Sequence, residues 1–131
     1  MTTNLSESPN IRTDKITFIA VLSLVNGIIN ILWALGVSIA AAMTIVGLCI
    51  VPLTILPAIL GGFEIAYAAN LLSNPPRPCK PNSTIAIMDI ICILQGNFIS
   101  LVVGIILLVF YHDLEITQWF KKLCESNSQD E

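Results

Sequence analysis

Two carboxylic acids, Glu64 and Asp89, stand inside the long apolar runs of this sequence. An ionised carboxylate at membrane depth is costly, so each has to be protonated, paired or turned to water. On helices rising about 1.5 Å per residue, Glu64 lies about 12 Å from the end of its run at Leu72. Asp89 lies about 9 Å from the start of the next run at Ser83. The two acids therefore approach the same interface at similar depth, on segments joined by a short loop. If they meet, both cannot ionise cheaply, and the pair would share a proton or hold a cation. The competing reading is structural. In it the acids reach Lys80 and Arg77 on the loop, or bond to Tyr67, Asn70 and amides of the first run, and only hold the hairpin together.

The neighbours of these acids are small or polar. Ser23, Asn26 and Asn30 fall within about 60° on one helical face, and amides in lipid must find partners, each bond contributing about 0.6–2 kcal/mol. Glu64 shares its face with Pro57, Gly61, Tyr67 and Ala68, a narrow surface that another helix can approach closely. Asp89 shares its face with Gly96 and Ser100, with Cys92 and Gly104 at the edges. Gly96, Ser100 and Gly104 form a small-xxx-small series suited to helix packing. Glu64 and Asp89 are thus the ion or proton candidates, and Asn26, Asn30, Gly61, Gly96, Ser100 and Gly104 the packing candidates.

Other chemistry has little support. The four cysteines, Cys49, Cys79, Cys92 and Cys124, are widely spaced and form no CxxC or Cys/His cluster, which argues against a disulfide framework or zinc site. His112 stands alone at an apolar boundary, and Asn82-Ser83-Thr84 matches the glycosylation sequon but abuts an apolar run. No P-loop, GxGxxG, HExxH or GxSxG pattern occurs. Neither an enzyme nor a cofactor or metal is expected. A net charge of −3, with no basic field, excludes nucleic acid as a partner.

The elements that must position these residues follow from hydropathy. The chain has 131 residues, 55% hydrophobic and 11% charged, against about 25% charged in soluble domains, and a mean hydropathy of +0.82. Residues Ile16 to Leu72 contain no lysine or arginine, and Glu64 is their lone carboxylate. A span needs about 20 residues, so this block holds two helices. They are placed at about 16–39 and 46–72, with the break between Gly36 and Gly47 and a kink or late start at Pro52 and Pro57. The opening apolar run is too long for the h-region of a signal peptide and reads as an uncleaved span.

The proline-rich stretch 73–82 is a loop. Residues 83–111 read as one long tilted third span, interrupted by Asp89, Gln95 and Asn97. From 113 to 125, Ile116, Trp119, Phe120 and Leu123 recur at helical spacing opposite a charged face. This predicts an amphipathic helix lying at the membrane interface. Residues 1–15 and 126–131 are polar and expected to be disordered tails flanking a single membrane domain, 16–125.

The expected fold is an all-α membrane protein of three transmembrane helices plus a C-terminal interfacial helix. The alternative has four spans, with 83–111 folded into a short hairpin at Gln95-Gly96-Asn97. In the three-span arrangement Arg12, Lys15, Arg77 and Lys80 share one side and Lys121 and Lys122 the other. The positive-inside rule then favours a cytoplasmic amino terminus in the cell membrane. Besides the lipid bilayer, the expected partner is a second copy or a larger membrane protein. Three functions fit: an accessory subunit packing through the Asn26/Asn30 and Gly96/Ser100/Gly104 faces, an oligomeric proton- or ion-coupled carrier or channel using Glu64 and Asp89, or a membrane-surface sensor working through the C-terminal helix.

Overall fold

The computed structural model describes residues 12–77 and 80–127, and its regular elements are helices. The expected tails fall largely outside these residues. Helix α1, Asp14–Ala42, opens where the Thr13 carbonyl accepts the Ile16 and Thr17 N–H groups. It runs through Gly36 and ends in the turn Met43-Thr44, within the expected break. The Thr44 hydroxyl caps the next helix by accepting the Gly47 N–H at 2.9 Å. A Cβ on Gly47 would collide with the Ala41 carbonyl and the Thr44 hydroxyl, so the turn closes this tightly only around glycine.

Helix α2, Ile45–Thr54, and helix α3, Leu56–Leu72, follow one another with a break at Ile55. Pro52 and Pro57 lack the N–H groups that the Leu48 and Leu53 carbonyls would otherwise accept four residues on, which explains the break. There is no late start. The two stretches Asp14–Ala42 and Ile45–Leu72 are each long and apolar enough to cross a membrane. The side chains are distributed to match. On α1, Phe18, Val21, Val25, Ile28 and Leu32 face outward while Ser23, Asn26 and Asn30 are buried. This is the distribution that an apolar surrounding favours, and water favours the opposite one.

Helices α1 and α3 pack antiparallel with their backbones in contact. A Cβ on Gly27 would stand 2.7 Å from the Gly61 carbonyl and 2.9 Å from Ile65 Cγ1, and one on Gly61 would strike the Gly27 carbonyl. The face of α3 at Gly61 is thus occupied by α1 of the same chain.

The expected single helix over 83–111 does not form. Helix α4, Ser83–Ile91, tightens into a 3-10 turn, Cys92–Gln95, and ends at Gly96 with φ 76°. Helix α5, Phe98–Tyr111, then starts afresh and packs back along α4. The reason is local stop-and-start chemistry. A left-handed glycine ends one helix, and the Asn97 side chain caps the next by accepting the Ser100 N–H at 3.2 Å. Gly104 permits the hairpin, because a Cβ there would lie 2.7 Å from the Ala86 carbonyl. Its tip is braced from outside: the Trp33 indole donates to the Gln95 carbonyl at 3.3 Å, and the Gln95 amide donates to the Leu53 carbonyl at 3.0 Å.

Helix α6, Leu114–Asn127, bends 71° away from α5. Its stripe Ile116, Trp119, Phe120 and Leu123 was expected to meet lipid headgroups. It is instead buried in one apolar cluster with Ile16, Ile19, Leu71 and Leu107. The end of the α1/α3/α5 bundle offers that stripe a complementary apolar surface, so the helix folds back onto protein. Lys15 pairs with Asp113 at 3.0 Å and with Glu115, fixing the corner. The Glu115 backbone N–H, followed by Lys15, holds the Asp113 carboxyl below its usual range. That contribution is present above the ordinary carboxylate range and fades as pH falls through the lowered value.

One consequence of the hairpin is that the α1 start, the 73–82 loop and α6 share one end of the bundle. All six basic residues therefore gather there: Arg12, Lys15, Arg77, Lys80, Lys121 and Lys122.

Replacing Gly27 or Gly61 by leucine forces two helices apart and should cost about 1–3 kcal/mol or more. Gly62→Leu, where nothing lies within 4 Å of an added Cβ, should be near neutral. Detergent unfolding titrations of the three variants distinguish these outcomes, and equal losses in all three would contradict the packing.

Candidate functional site

Six polar side chains from four helices converge where the bundle is most tightly closed. They are Asn26 and Asn30 of α1, Glu64 of α3, Asp89 of α4, and Asn97 and Ser100 at the start of α5, all at most 1% exposed. The close approaches at Gly27/Gly61 and at Gly104 bring these helices near enough for short side chains to touch.

The orientations of Asn97 and Asn30 follow from one backbone group. The Ser100 N–H can only donate, so the Asn97 side chain turns its Oδ1 toward it. Asn97 Nδ2 therefore faces Asn30, whose Oδ1 accepts from it at 2.7 Å and from the Ser100 hydroxyl at 2.6 Å. Asn30 must then point its Nδ2 at the acids, donating to Glu64 Oε2 at 2.7 Å and to Asp89 Oδ1 at 3.3 Å. Asn26 repeats the pattern, with Oδ1 accepting from Ser100 at 3.2 Å and Nδ2 donating to Glu64 Oε1 at 2.7 Å and Asp89 Oδ1 at 3.1 Å. Each amide thus divides its two N–H groups between the two carboxyls.

Glu64 and Asp89 do meet, sharing the amide N–H groups of Asn26 and Asn30 as donors. The acids take their hydrogen bonds from the α1 amides and not from Lys80 or Arg77. No lysine or arginine occurs in the stretches 16–72 or 83–111. Two bare carboxylates without a cation would be strongly disfavoured in so buried a site. The surrounding donors suit one negative charge shared over two carboxyls, with one proton between them. They do not suit a metal ion, because the N–H groups of Asn26 and Asn30 point at the acids and their oxygens point away. Among the described residues, no group of three or more His, Cys, Asp or Glu is placed to hold a metal.

Among the described residues, four buried polar atoms have no hydrogen-bond partner of good geometry: Asp89 Oδ2, Ser23 Oγ and the hydroxyls of Tyr67 and Tyr111. The two tyrosines lie against each other, and Tyr67 against the Asn82 backbone, without closing a well-formed bond.

Of the residues singled out in the sequence, Asn26, Asn30, Glu64, Asp89 and Ser100 form the site, with Gly61 and Gly104 making room for it. Gly96 is the hairpin turn and packs beside Trp33. His112 is exposed and bonds to the Leu108 carbonyl of its own helix. Cys49, Cys92 and Cys124 are in no disulfide among the described residues, and Cys79 lies outside them. Asn97 and Tyr111 were missed as site members. The signal for Asn97 was its spacing from Ser100, which places the two on one face. Nothing in the spacing marks Tyr111, which reaches the site because the hairpin folds α5 back. The chain matches no protein-family model, no curated protein and no solved structure, so functional inference rests on this geometry.

Asn30→Leu would strand Glu64 Oε2 and Asn97 Nδ2, at roughly 1–3 kcal/mol for each orphaned buried group. A loss of about 3 kcal/mol is expected in reversible SDS-titration unfolding. Asn70→Leu, at an exposed position, should stay within about 0.5 kcal/mol. Indistinguishable curves for the two variants would contradict the network.

Proposed function

We propose that this chain is a small proton-coupled membrane carrier or channel whose titrating centre is the Glu64–Asp89 pair. The observation that carries the reading is the convergence of two fully buried carboxyls on the same two amide donors, with no basic side chain on their helices. A purely structural network would gain from a lysine, or from amides in place of both acids, since burying acids in pairs costs stability. A site that must take up and release a proton requires them. The α1 amides hold the charge left behind when the proton departs, so the pair can cycle without a counter-ion entering the membrane.

In this reading α1 and α2/α3 cross the bilayer. The α4–α5 hairpin enters and leaves on the cationic side, its legs of about 21 Å being shorter than a core of about 30 Å. A turn inside the membrane is tolerated where protein satisfies its backbone, as Trp33 and Asn97 do here. With six basic residues at that end, the positive-inside rule makes it cytoplasmic. An accessory subunit would have to pack through outward apolar faces, because Asn26/Asn30 and Gly96/Ser100/Gly104 are occupied within the chain. A surface sensor would have to release α6 from the bundle before its stripe could meet lipid.

Two experiments test the proposal. In reconstituted vesicles, Glu64→Gln and Asp89→Asn should reduce proton flux to the level of protein-free vesicles while the variants remain folded. A wild type without flux would sink the carrier reading. For the topology, Lys80→Cys and Lys122→Cys, in a background with the native cysteines replaced by serine, should both react with an impermeant thiol reagent from the same side. Reaction from opposite sides would restore the single third span.

A further inference from the structure

The four unpartnered buried atoms are not scattered. Ser23 lies one turn from Asn26 on α1, and Tyr67 one turn from Glu64 on antiparallel α3, so both sit about 4.5 Å from the network in the same direction, toward the cationic end. Tyr111, near the end of α5, meets Tyr67, which in turn lies against the Asn82 backbone at the start of α4. Asp89 Oδ2 begins the series and Tyr67 ends it, on the wall of a largely apolar groove of about 600 Å3 that runs between α3 and α4 from Leu56 to Asn70. That groove presents Asn70, Asn82 and Thr84 together with Tyr67 at the loop end. On the opposite side of the acids the polar atoms are satisfied: Asn97, Ser100 and Asn30 bond to one another, and Trp33 and Gln95 brace the tip.

Buried polar atoms without a protein partner are sites for ordered water, and each costs about 1–3 kcal/mol if left dry. We infer that a short file of bound water runs from the α3/α4 groove past Tyr67, Tyr111 and Ser23 to Asp89 Oδ2. In the conformation described, it gives the acid pair access to protons from the cationic end. The inference rests on the proposed proton-binding role of the pair and adds its direction. A proton enters as hydronium at the groove, passes along the hydroxyls and water by successive transfer, and ends on the Glu64–Asp89 pair.

The groups around that pair are Ser23, Asn26 and Asn30 from α1, Tyr67 from α3, Cys92 from the 3-10 turn, Asn97 and Ser100 at the start of α5, and Tyr111 at its end. Lys15, Asp113 and Glu115 stand at the cationic end. Among the described residues, the titratable side chains between that end and the acids are the two tyrosines. Cys92 lies beyond the acids, one turn closer to the tip.

Substituted-cysteine labelling in vesicles of uniform orientation tests this without requiring transport. Ser23→Cys, nearly isosteric and in the cysteine-to-serine background, should react with a small hydrophilic methanethiosulfonate added on the cationic side and not from the other. The native Cys92, restored alone, should react from neither side. Labelling of Ser23→Cys from the far side, or from neither side, would overturn the route. A second measurement uses the unsubstituted protein: the carboxyl C=O infrared band should respond to a pH step on the cationic side and be silent to a step on the other. Equal response from both sides overturns one-sided access. Loss of flux in Glu64→Gln with Ser23→Cys unlabelled would leave the proton function standing and remove the route. Labelling from the cationic side in a protein without flux would leave the route standing and remove the carrier.

Discussion

The structure depends on one constraint: two carboxyl groups are fully buried side by side, on helices that carry no basic side chain. Everything close to Glu64 and Asp89 answers that demand. The amides of Asn26 and Asn30 surround the acids with four N–H contacts, and Asn97 and Ser100 fix which way those amides face. Short side chains can meet in this way only if the helices nearly touch. Gly27 against Gly61, and Gly104 against Ala86, are therefore part of the site as much as of the packing. Interhelical bonds in membranes contribute about 0.6–2 kcal/mol each, so the network is a modest source of stability and a strong source of register. Sliding any helix by one residue would turn a carboxyl or an amide toward lipid.

Much of this was legible in the sequence. The positions of Glu64 and Asp89 relative to the proline-rich loop, and the Asn26/Asn30 stripe, are facts of helical period, and period survives into the structure wherever a helix stays straight. The hairpin was harder to read. Its legs are too short by length arithmetic, which assumes that each apolar run must cross the bilayer, and that assumption outweighed the local message of Gln95-Gly96-Asn97. A glycine able to turn left-handed, followed by an asparagine able to cap, is a stronger determinant of a helix end than the hydropathy around it. The final helix shows the same limit from another side. Amphipathic spacing identifies an apolar face but not what covers it, and for Ile116, Trp119, Phe120 and Leu123 the cover is the rest of the chain.

Folding the third run back on itself also changes what the charges mean. With one continuous helix the basic residues are divided between two sides. With the hairpin they share one end, together with the loop and α6. The asymmetry of charge then coincides with the asymmetry of burial: unpartnered hydroxyls face the basic end, and a closed set of hydrogen bonds faces the other. A site with different surroundings above and below has a built-in direction.

Proline and glutamine divide one hydrogen bond between distant parts of the chain. Pro57 deprives the Leu53 carbonyl of its helical donor, and Gln95, at the tip of the hairpin, supplies a replacement at 3.0 Å. The defect in one helix has become an address for another. The Ile55 N–H is left as the carbonyl's donor within its own chain segment, and the glutamine completes it from across the fold. A break in one helix and the tip of the hairpin are thereby tied to a single carbonyl, although the whole of α3 and the loop lie between them.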